Sequence, residues 1–461
     1  MGTQQFSVPG LALPNELTEH IFLHCLPHGR VRPNPKTGPL LVTQICRHWR
    51  AVALLFPALW ASIVLDFDEW TAETVISQQI ALARLWLSRA SRSPLSITIN
   101  GPMHGRRLPA GLIDLIKSSS AQWGRLELSI SAPDVLELCE VAGPFPHLQV
   151  VAIQIPNHFD EKYAEFRAPF LDAPKLQVLR LSGAFVGCFE CEPGRERSQS
   201  ILAVEFPIHQ STTEIFQMFK KFPNLRHLII TSEYPIYHLP LEPSVPCPPL
   251  RSLVLGTYYD VTPLKHLTLP TLEDLKIVFA WEGYGQLIVD FVARSSCTLT
   301  VLGLECLKDN PLELEGALRA APSVVSLFLG FESFSKSVCL MLHRLEVLPY
   351  LTNKHIETWV DGVDKWDIFL GLVQARPTLL VADFVGWGDK NPPPTAQQIS
   401  GFEAAAERGM RITLKTEDAY DKPWQWSNGP QDSDLDENFE FQAPVINNCL
   451  PHLWNRYPPT G

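Results

Sequence analysis

A leucine phrase that recurs about every 25 residues is the feature that most constrains the fold of this chain. The phrase is a small residue or proline followed by L-x-x-L-x-L, as in FPHLQVVAI from position 145 and LPTLEDLKI from position 269. The first apolar positions of its copies are Leu148, Leu176, Leu225, Leu250, Leu272, Leu299 and Val324. Ile201 falls midway in the one double gap, Trp123 extends the series upstream, and Leu351 and Leu379 extend it downstream. A period of this length predicts a chain of similar structural units.

Each unit is expected to form one short strand whose alternate leucines point inward, with a helix or a looser turn as the return path. This predicts an α/β fold in which residues 95–415 form a leucine-rich-repeat solenoid, one continuous stack whose strands pair with their neighbours in sequence. The asparagine or cysteine that often follows L-x-x-L-x-L is missing from most copies, and proline-rich joins such as EPSVPCPP replace regular helices. The solenoid is therefore expected to be irregular. An unrelated α/β sheet with leucine-rich strands is the alternative, and at least nine evenly spaced units argue against it.

The segment from 13 to 60 has a different pattern, which predicts helices. Pro14 suits the first turn of a helix, where the missing N–H is not needed. Leu17, Ile21 and Cys25 follow at i, i+4 and i+8, and Phe22 lies beside them. Such an apolar stripe is wider than a short helix needs merely to cover a core.

A turn-rich insert from Pro27 to Pro39 ends the first helix, and the spacing resumes at Leu40. The second predicted helix carries four apolar residues on one face, namely Leu41, Ile45, Trp49 and Val52. Pro57 ends this helix, and Leu59 and Trp60 are expected to cover the helical bundle.

The order LPNELTEHIFLHCLP, then LLVTQICRHWR, then a Pro-x-Leu-Trp close resembles the F-box. The F-box is the helical module by which substrate receptors dock on the Skp adaptor of cullin-type ubiquitin ligases. The long insert resembles the F-box variant that is found in the expanded F-box-like families of mushroom-forming fungi. The resemblance implies that adaptor binding is carried by Leu13, Pro14, Leu17, Ile21, Phe22, Leu41, Ile45 and Trp49. The alternative is a helical hairpin whose apolar residues simply pack together.

Four segments follow from these patterns: an F-box-like helical domain over 11–66, a linking helix within 67–94, the repeat region over 95–415, and a tail over 416–461. The linking helix is predicted over Trp70–Ala90 and is expected to cap the open end of the solenoid, with SPLSITIN as the first strand. The tail mixes acids with isolated aromatic residues such as Trp424 and Trp454, too many for free disorder, and is expected to dock back on the repeats.

Composition excludes several classes of function. The net charge of −11 and the absence of Lys/Arg blocks argue against nucleic-acid binding. The start MGTQQFSVPG lacks the regions of a signal peptide, and the most apolar run is shorter than the ~18–20 residues that span a bilayer. We expect a soluble intracellular protein, cytoplasmic or nuclear, that binds no membrane. The ten cysteines are scattered through apolar segments and are expected to be buried and reduced.

Motifs for catalysis and for metal binding are weak or absent. The chain has no G-x-S-x-G, P-loop, G-x-G-x-x-G or H-E-x-x-H. Cys188 and Cys191 form a C-x-x-C, but no second ligand pair lies nearby to complete a zinc site. His20, His24 and His28 are spaced by four, which suits a metal, but a polar helical face explains the first two equally well. The acids from Asp432 to Glu437 alternate like calcium ligands but lack the glycine of a calcium loop. No cofactor, metal or enzymatic activity is expected.

Together these features predict a non-catalytic substrate receptor in an SCF ubiquitin ligase complex, acting in the ubiquitin conjugation pathway. Its partners would be the Skp adaptor, through it the cullin and RING subunits, and an unknown protein target. The alternative is an interaction scaffold that binds the adaptor or another partner without directing ubiquitination. Positions between the repeat leucines are expected to face the concave, target-binding side. The residues predicted to bind the target there are Arg180, His227, Asp274, Lys276 and Phe328.

Overall fold

The structure is a computed structural model that describes most of the chain. The described ranges are 13–26, 31–67, 71–102, 107–141, 143–155, 169–182, 199–207, 213–232, 247–257, 263–278, 283–307, 310–331, 336–344, 347–359, 365–387, 393–417 and 424–427. The predictions made for His28, Trp70, Cys188, Cys191 and most of the tail lie outside these ranges.

The chain divides into two compact units, Met1–Pro207 with Lys221–Asn224, and Ile208–Lys220 with Leu225–Gly461. In the first unit the elements are α1 (Asn15–His24), α2 (Gly38–Ile45), α3 (Arg47–Leu55), a 3-10 helix (Pro57–Trp60), β1 (Ser62–Asp66), α4 (Glu73–Ala90), β2 (Leu95–Asn100), α5 (Ala110–Ser118), β3 (Trp123–Ser129), α6 (Ala132–Cys139), β4 (Val150–Gln154), β5 (Val178–Ser182) and β6 (Ala203–Pro207). Strands β1 to β6 form a parallel sheet in which each strand pairs with the next one in sequence.

The second unit repeats the plan, with helices between most of its strands. Its elements are α7 (Thr213–Lys221, whose last residue counts with the first unit), β7 (His227–Ser232), β8 (Ser252–Thr257), α8 (Pro263–His266), β9 (Asp274–Val278), α9 (Tyr284–Ser295), β10 (Val301–Leu307), α10 (Pro311–Ala320), β11 (Ser326–Phe331), α11 (Lys336–His343), β12 (Asn353–Trp359), α12 (Lys365–Ala375), β13 (Val381–Trp387), α13 (Ala396–Ala406), β14 (Arg411–Glu417) and β15 (Trp424–Ser427). Strands β7 to β14 are parallel and pair in sequence order, and β15 is antiparallel to β14. The α/β class and the sequential pairing within each unit are therefore confirmed. A single stack across both units stays a prediction.

The repeat phrase forms a turn followed by a strand. In six copies the backbone N–H of the first apolar residue donates to the carbonyl three residues earlier, as Leu272 does to Leu269 at 3.2 Å. The other five such pairs are Leu148 to Phe145, Leu176 to Ala173, Val324 to Ala321, Leu351 to Leu348 and Leu379 to Arg376. A proline stands second in each of these turns, where its fixed φ is favoured. The leucine of the turn and the alternate strand residues after it, such as Leu275 and Ile277, are buried and form the core.

The structure corrects the predicted start of the sheet and the predicted role of the linking helix. The sheet begins at β1, inside the segment assigned to the helical domain, so that SPLSITIN is its second strand. Since β1 and β2 are parallel, α4 is the crossover helix between them rather than a cap on an open end. At the outer side of β1 the carbonyl of Val31 accepts from the N–H of Val64 at 2.9 Å. Part of the long insert thus covers this edge.

Candidate functional site

Helices α1 and α2 leave five large apolar side chains exposed: Leu23, at 40%, and four that follow the i, i+4 spacing of the two helices. The exposed fractions are 53% for Leu17, 37% for Ile21, 42% for Leu41 and 53% for Ile45. We call these four residues the N-terminal apolar surface. The two helices contact each other and both contact α3. Large apolar side chains left in water on a short helical assembly are typical of an interface.

A separate set of residues holds these helices together. Phe22 is fully buried, and its ring lies edge to face with that of Trp49 at 5.2 Å between centroids. Val42, Val52 and Ala53 are buried as well. Of the eight residues predicted to bind the adaptor, Phe22 and Trp49 are therefore positioned to shape the module. Leu13 is half-buried, and Pro14 is exposed at the start of α1.

The predicted second helix is two helices, because Cys46 between them is extended, with φ −155° and ψ 169°. Its sulfur accepts from the N–H of Trp49 at 3.3 Å and so caps α3. The Arg50 side chain donates to the carbonyl of Thr43 at 2.7 Å and fixes α3 against α2. The break explains why Ile45 faces water whereas Trp49, four residues later, packs inward. The prediction that both share one helical face was wrong.

Leu59 and Trp60 close the helical bundle, as predicted, and join it to the first sheet. Both are buried, and the Trp60 indole donates to the carbonyl of Ala53 at 2.7 Å. The Trp60 ring packs against Trp86 of α4 at 4.9 Å, and the Arg89 guanidinium lies 4.4 Å from its centroid. The helical module and the first sheet therefore share one core.

In the first unit the predicted target-binding residue Arg180 is held in an ion pair. Its Nε lies 2.7 Å from Oε2 of Glu205 on the neighbouring strand. Arg125 and Glu127 form a similar pair on β3, and Thr98 on β2 also contacts Glu127. Glu205 follows Arg180 by 25 residues, one repeat period, so the spacing itself indicates this pair. Charges on this face largely neutralise one another.

In the second unit five side chains form a row across the face of the sheet. Lys276 Nζ lies 4.5 Å from the centroid of Phe328, whose ring is 5.8 Å from that of His355. His355 Nδ1 lies 3.9 Å from Oδ2 of Asp383, which is paired in register with Thr413. We call Lys276, Phe328, His355, Asp383 and Thr413 the sheet-face row. The row combines a cation, an aromatic ring and a carboxylate, and its lysine is itself buried, with its ammonium group over the ring.

Gly303, between Lys276 and Phe328 in this row, makes the arrangement possible. A Cβ at this position would lie 2.8 Å from Cγ of Lys276, so only glycine lets the lysine extend toward the ring. His355 and Asp383 were not predicted as target-binding residues. The period does indicate them, because His355 follows Phe328 by 27 residues and Asp383 follows His355 by 28.

The surroundings lower the pKa of Asp383 in the row and the pKa of His227 outside it, but for different reasons. Burial by itself would raise the pKa of Asp383, but His355, then Thr413 and Arg411, outweigh it and lower this pKa. His227 is half-buried, and burial together with Arg226 and Arg251 lowers its pKa to about 4. Asp274 lies two strands from His227 in register, with Ser252 between them. Of the five predicted target-binding residues, Arg180 belongs to the first unit and the other four to the second.

Among the residues that the structure describes, no group of three or more His, Cys, Asp or Glu side chains could hold a metal ion. No described helix is both long and apolar enough to cross a membrane.

The described cysteines Cys25, Cys46, Cys139, Cys247 and Cys297 are free thiols. Cys25 is exposed, unlike the buried thiols that the sequence predicts.

No family model matches this chain, and no curated protein matches it.

Proposed function

We propose that this chain is a substrate-recognition subunit of a cullin-type, SCF-like ubiquitin ligase. Helices α1 to α3 act as an F-box that docks on the Skp adaptor, and the repeat region acts as a leucine-rich-repeat solenoid that binds a protein target. The subunit itself catalyses nothing.

The observation that carries the proposal is the N-terminal apolar surface. Leu17, Ile21, Leu41 and Ile45 stay in water although Phe22 and Trp49 already form a core for the helices. A stable monomer rarely exposes several large apolar side chains within one small helical module. We infer the partner, the Skp adaptor, from the order of motifs that resembles the F-box.

The sheet-face row supports the second half of the proposal. Its residues lie on the face opposite the buried leucines, where a solenoid presents its binding surface.

The test is co-purification of the full chain with a recombinant Skp adaptor. Each leucine or isoleucine buried in an interface is worth about 1.5–3 kcal/mol, so the double variant Leu17→Asp/Ile45→Asp should weaken binding by roughly a hundredfold or more. Leu312→Asp is the matched control, because Leu312 is 81% exposed on α10 in the second unit. Full retention of the adaptor by the double variant would contradict the proposal.

A second measurement separates the receptor from the scaffold alternative. A receptor should bring down the cullin subunit together with the adaptor, and the Leu17→Asp/Ile45→Asp variant should lose both. A scaffold would bring down the adaptor alone.

A further inference from the structure

The exposed side of α1 carries a histidine pair in a geometry that suits a metal ion. His20 Nε2 and His24 Nε2 lie 3.2 Å apart, and the two rings are nearly perpendicular, with centroids 4.7 Å apart. Both side chains are exposed, so neither is fixed by packing against a core. The spacing i, i+4 on a helix is what brings them together.

We propose that His20 and His24 chelate one divalent transition-metal ion of the zinc and copper class. Zinc binds imidazole nitrogen at about 2.0–2.1 Å, so two nitrogens 3.2 Å apart subtend an angle of roughly 100–105° at a shared ion. This is close to the angle of a tetrahedral site. Each ring then carries its proton on Nδ1 and offers the lone pair of Nε2.

The same distance also fits a hydrogen bond between the two rings, in which one Nε2–H donates to the other Nε2. A metal ion would replace that shared proton. In both arrangements the two Nε2 atoms are within reach of each other on the folded helix, so binding of the ion needs only local rotation of the exposed rings.

Two imidazoles supply half of a tetrahedral set. Within the described ranges no third His, Cys, Asp or Glu completes the group, and His28, which continues the spacing of four, lies outside them. We take the remaining positions of the ion to be filled by water or by a ligand from a partner, as in an open, exchangeable site. This inference stands apart from the proposed adaptor docking and needs no adaptor for its test.

The experiment is calorimetric titration of the full chain with Zn²⁺. We expect one ion per chain at this site, and loss of that binding in His20→Ala/His24→Ala. Each single variant should weaken it by at least ten- to hundredfold, the loss typical for even an outer-shell partner. Cu²⁺ should bind tighter than Zn²⁺, and acid should weaken both because the ion needs neutral imidazole.

Two controls make the result decisive. His266→Ala removes an exposed histidine elsewhere and should leave binding unchanged. Cys25→Ser removes the exposed thiol next to the pair and should also leave it unchanged. If the ion still binds to His20→Ala/His24→Ala, or if Cys25→Ser abolishes binding, the proposal is overturned. Far-ultraviolet circular dichroism of each variant checks that α1 to α3 stay folded.

Discussion

At the scale of single residues, Arg376 shows how a buried charge is satisfied by backbone. It is buried, and its guanidinium donates to the carbonyls of Leu342 at 2.7 Å, Leu348 at 2.8 Å and Arg344 at 2.6 Å. These carbonyls end α11 and begin the turn into β12, and the fork of five donors reaches all three. Arg376→Met should lower the free energy of unfolding by about 3 kcal/mol or more, since buried acceptors lose their donor. Urea unfolding measures this, and Arg408→Met, at an exposed position, should change it by less than about 0.5 kcal/mol.

Protonation of His227 makes the stability of the fold depend on pH. Its pKa is about 4 in the folded chain, against about 6.5 when unfolded. Between these values the unfolded state binds the proton and the folded state does not, so stability falls as pH drops from about 6.5 to 4. The loss is at most about 3 kcal/mol and is reduced by the partial exposure of the ring. His227→Gln should flatten the stability–pH curve in this window relative to the wild-type chain. An unaltered curve for His227→Gln would contradict the assignment.

Single side chains also show which contacts cannot be predicted from the sequence. Alternation along each strand correctly predicts the buried leucines, such as Leu275 and Leu327, but not that Lys276 beside Leu275 is buried as well. It does not say which polar residues neutralise each other. Arg180 and Lys276 look alike in sequence, but Arg180 pairs with Glu205 while Lys276 lies against an aromatic ring. That difference depends on what occupies the neighbouring strand one period away.

At the scale of elements, α9 and α10 are closely packed at one glycine and open at another. Substitution of these two glycines should therefore change stability in opposite directions. A Cβ on Gly285 would lie 2.5 Å from the backbone oxygen of Glu313, whereas a Cβ on Gly316 would meet nothing within 4 Å. Gly285→Ala should therefore destabilise by about 1–3 kcal/mol through overpacking. Gly316→Ala, inside α10, should stabilise by about 0.5–1 kcal/mol because alanine loses less backbone entropy. Thermal unfolding of both variants measures the difference, and equal effects would refute the close approach.

Element boundaries were predicted less well than element types. The helices α1 and α4 were recognised from their apolar spacing, but the break at Cys46 was not. No proline or glycine marks it, and Cys46 acts as the cap through its sulfur, an acceptor that capping patterns do not include. The role of α4 was also missed, because apolar spacing does not show whether a helix connects two parallel strands or covers an end.

At the scale of the whole molecule, the repeat period predicted that strands pair in sequence order, as they do within each unit. It succeeds because a leucine turn every 25 or so residues leaves each strand only its sequence neighbours to pair with. The division into two units was not predicted, since the phrase runs through it without interruption. For the candidate site, spacing identified the apolar stripes but not which members stay exposed. Phe22 and Ile21 are adjacent, and only the packing of α3 buries one of them.

The N-terminal apolar surface and the sheet-face row lie in different units. If the chain is a receptor, we expect that adaptor binding and target binding can be lost independently of each other. Leu17→Asp/Ile45→Asp should release the adaptor and the cullin but keep the target. Phe328→Ala removes the ring between Lys276 and His355 and should do the reverse.

Proximity labelling in cells measures both, with the wild-type chain as reference and Leu312→Asp as the control for surface charge. Because the Leu17→Asp/Ile45→Asp variant still binds the target but no longer delivers it for ubiquitination, the target should accumulate on that variant. Loss of adaptor and target together in either variant would mean that the chain uses one surface for both. No accumulation of any protein on the adaptor-free variant would favour the scaffold alternative.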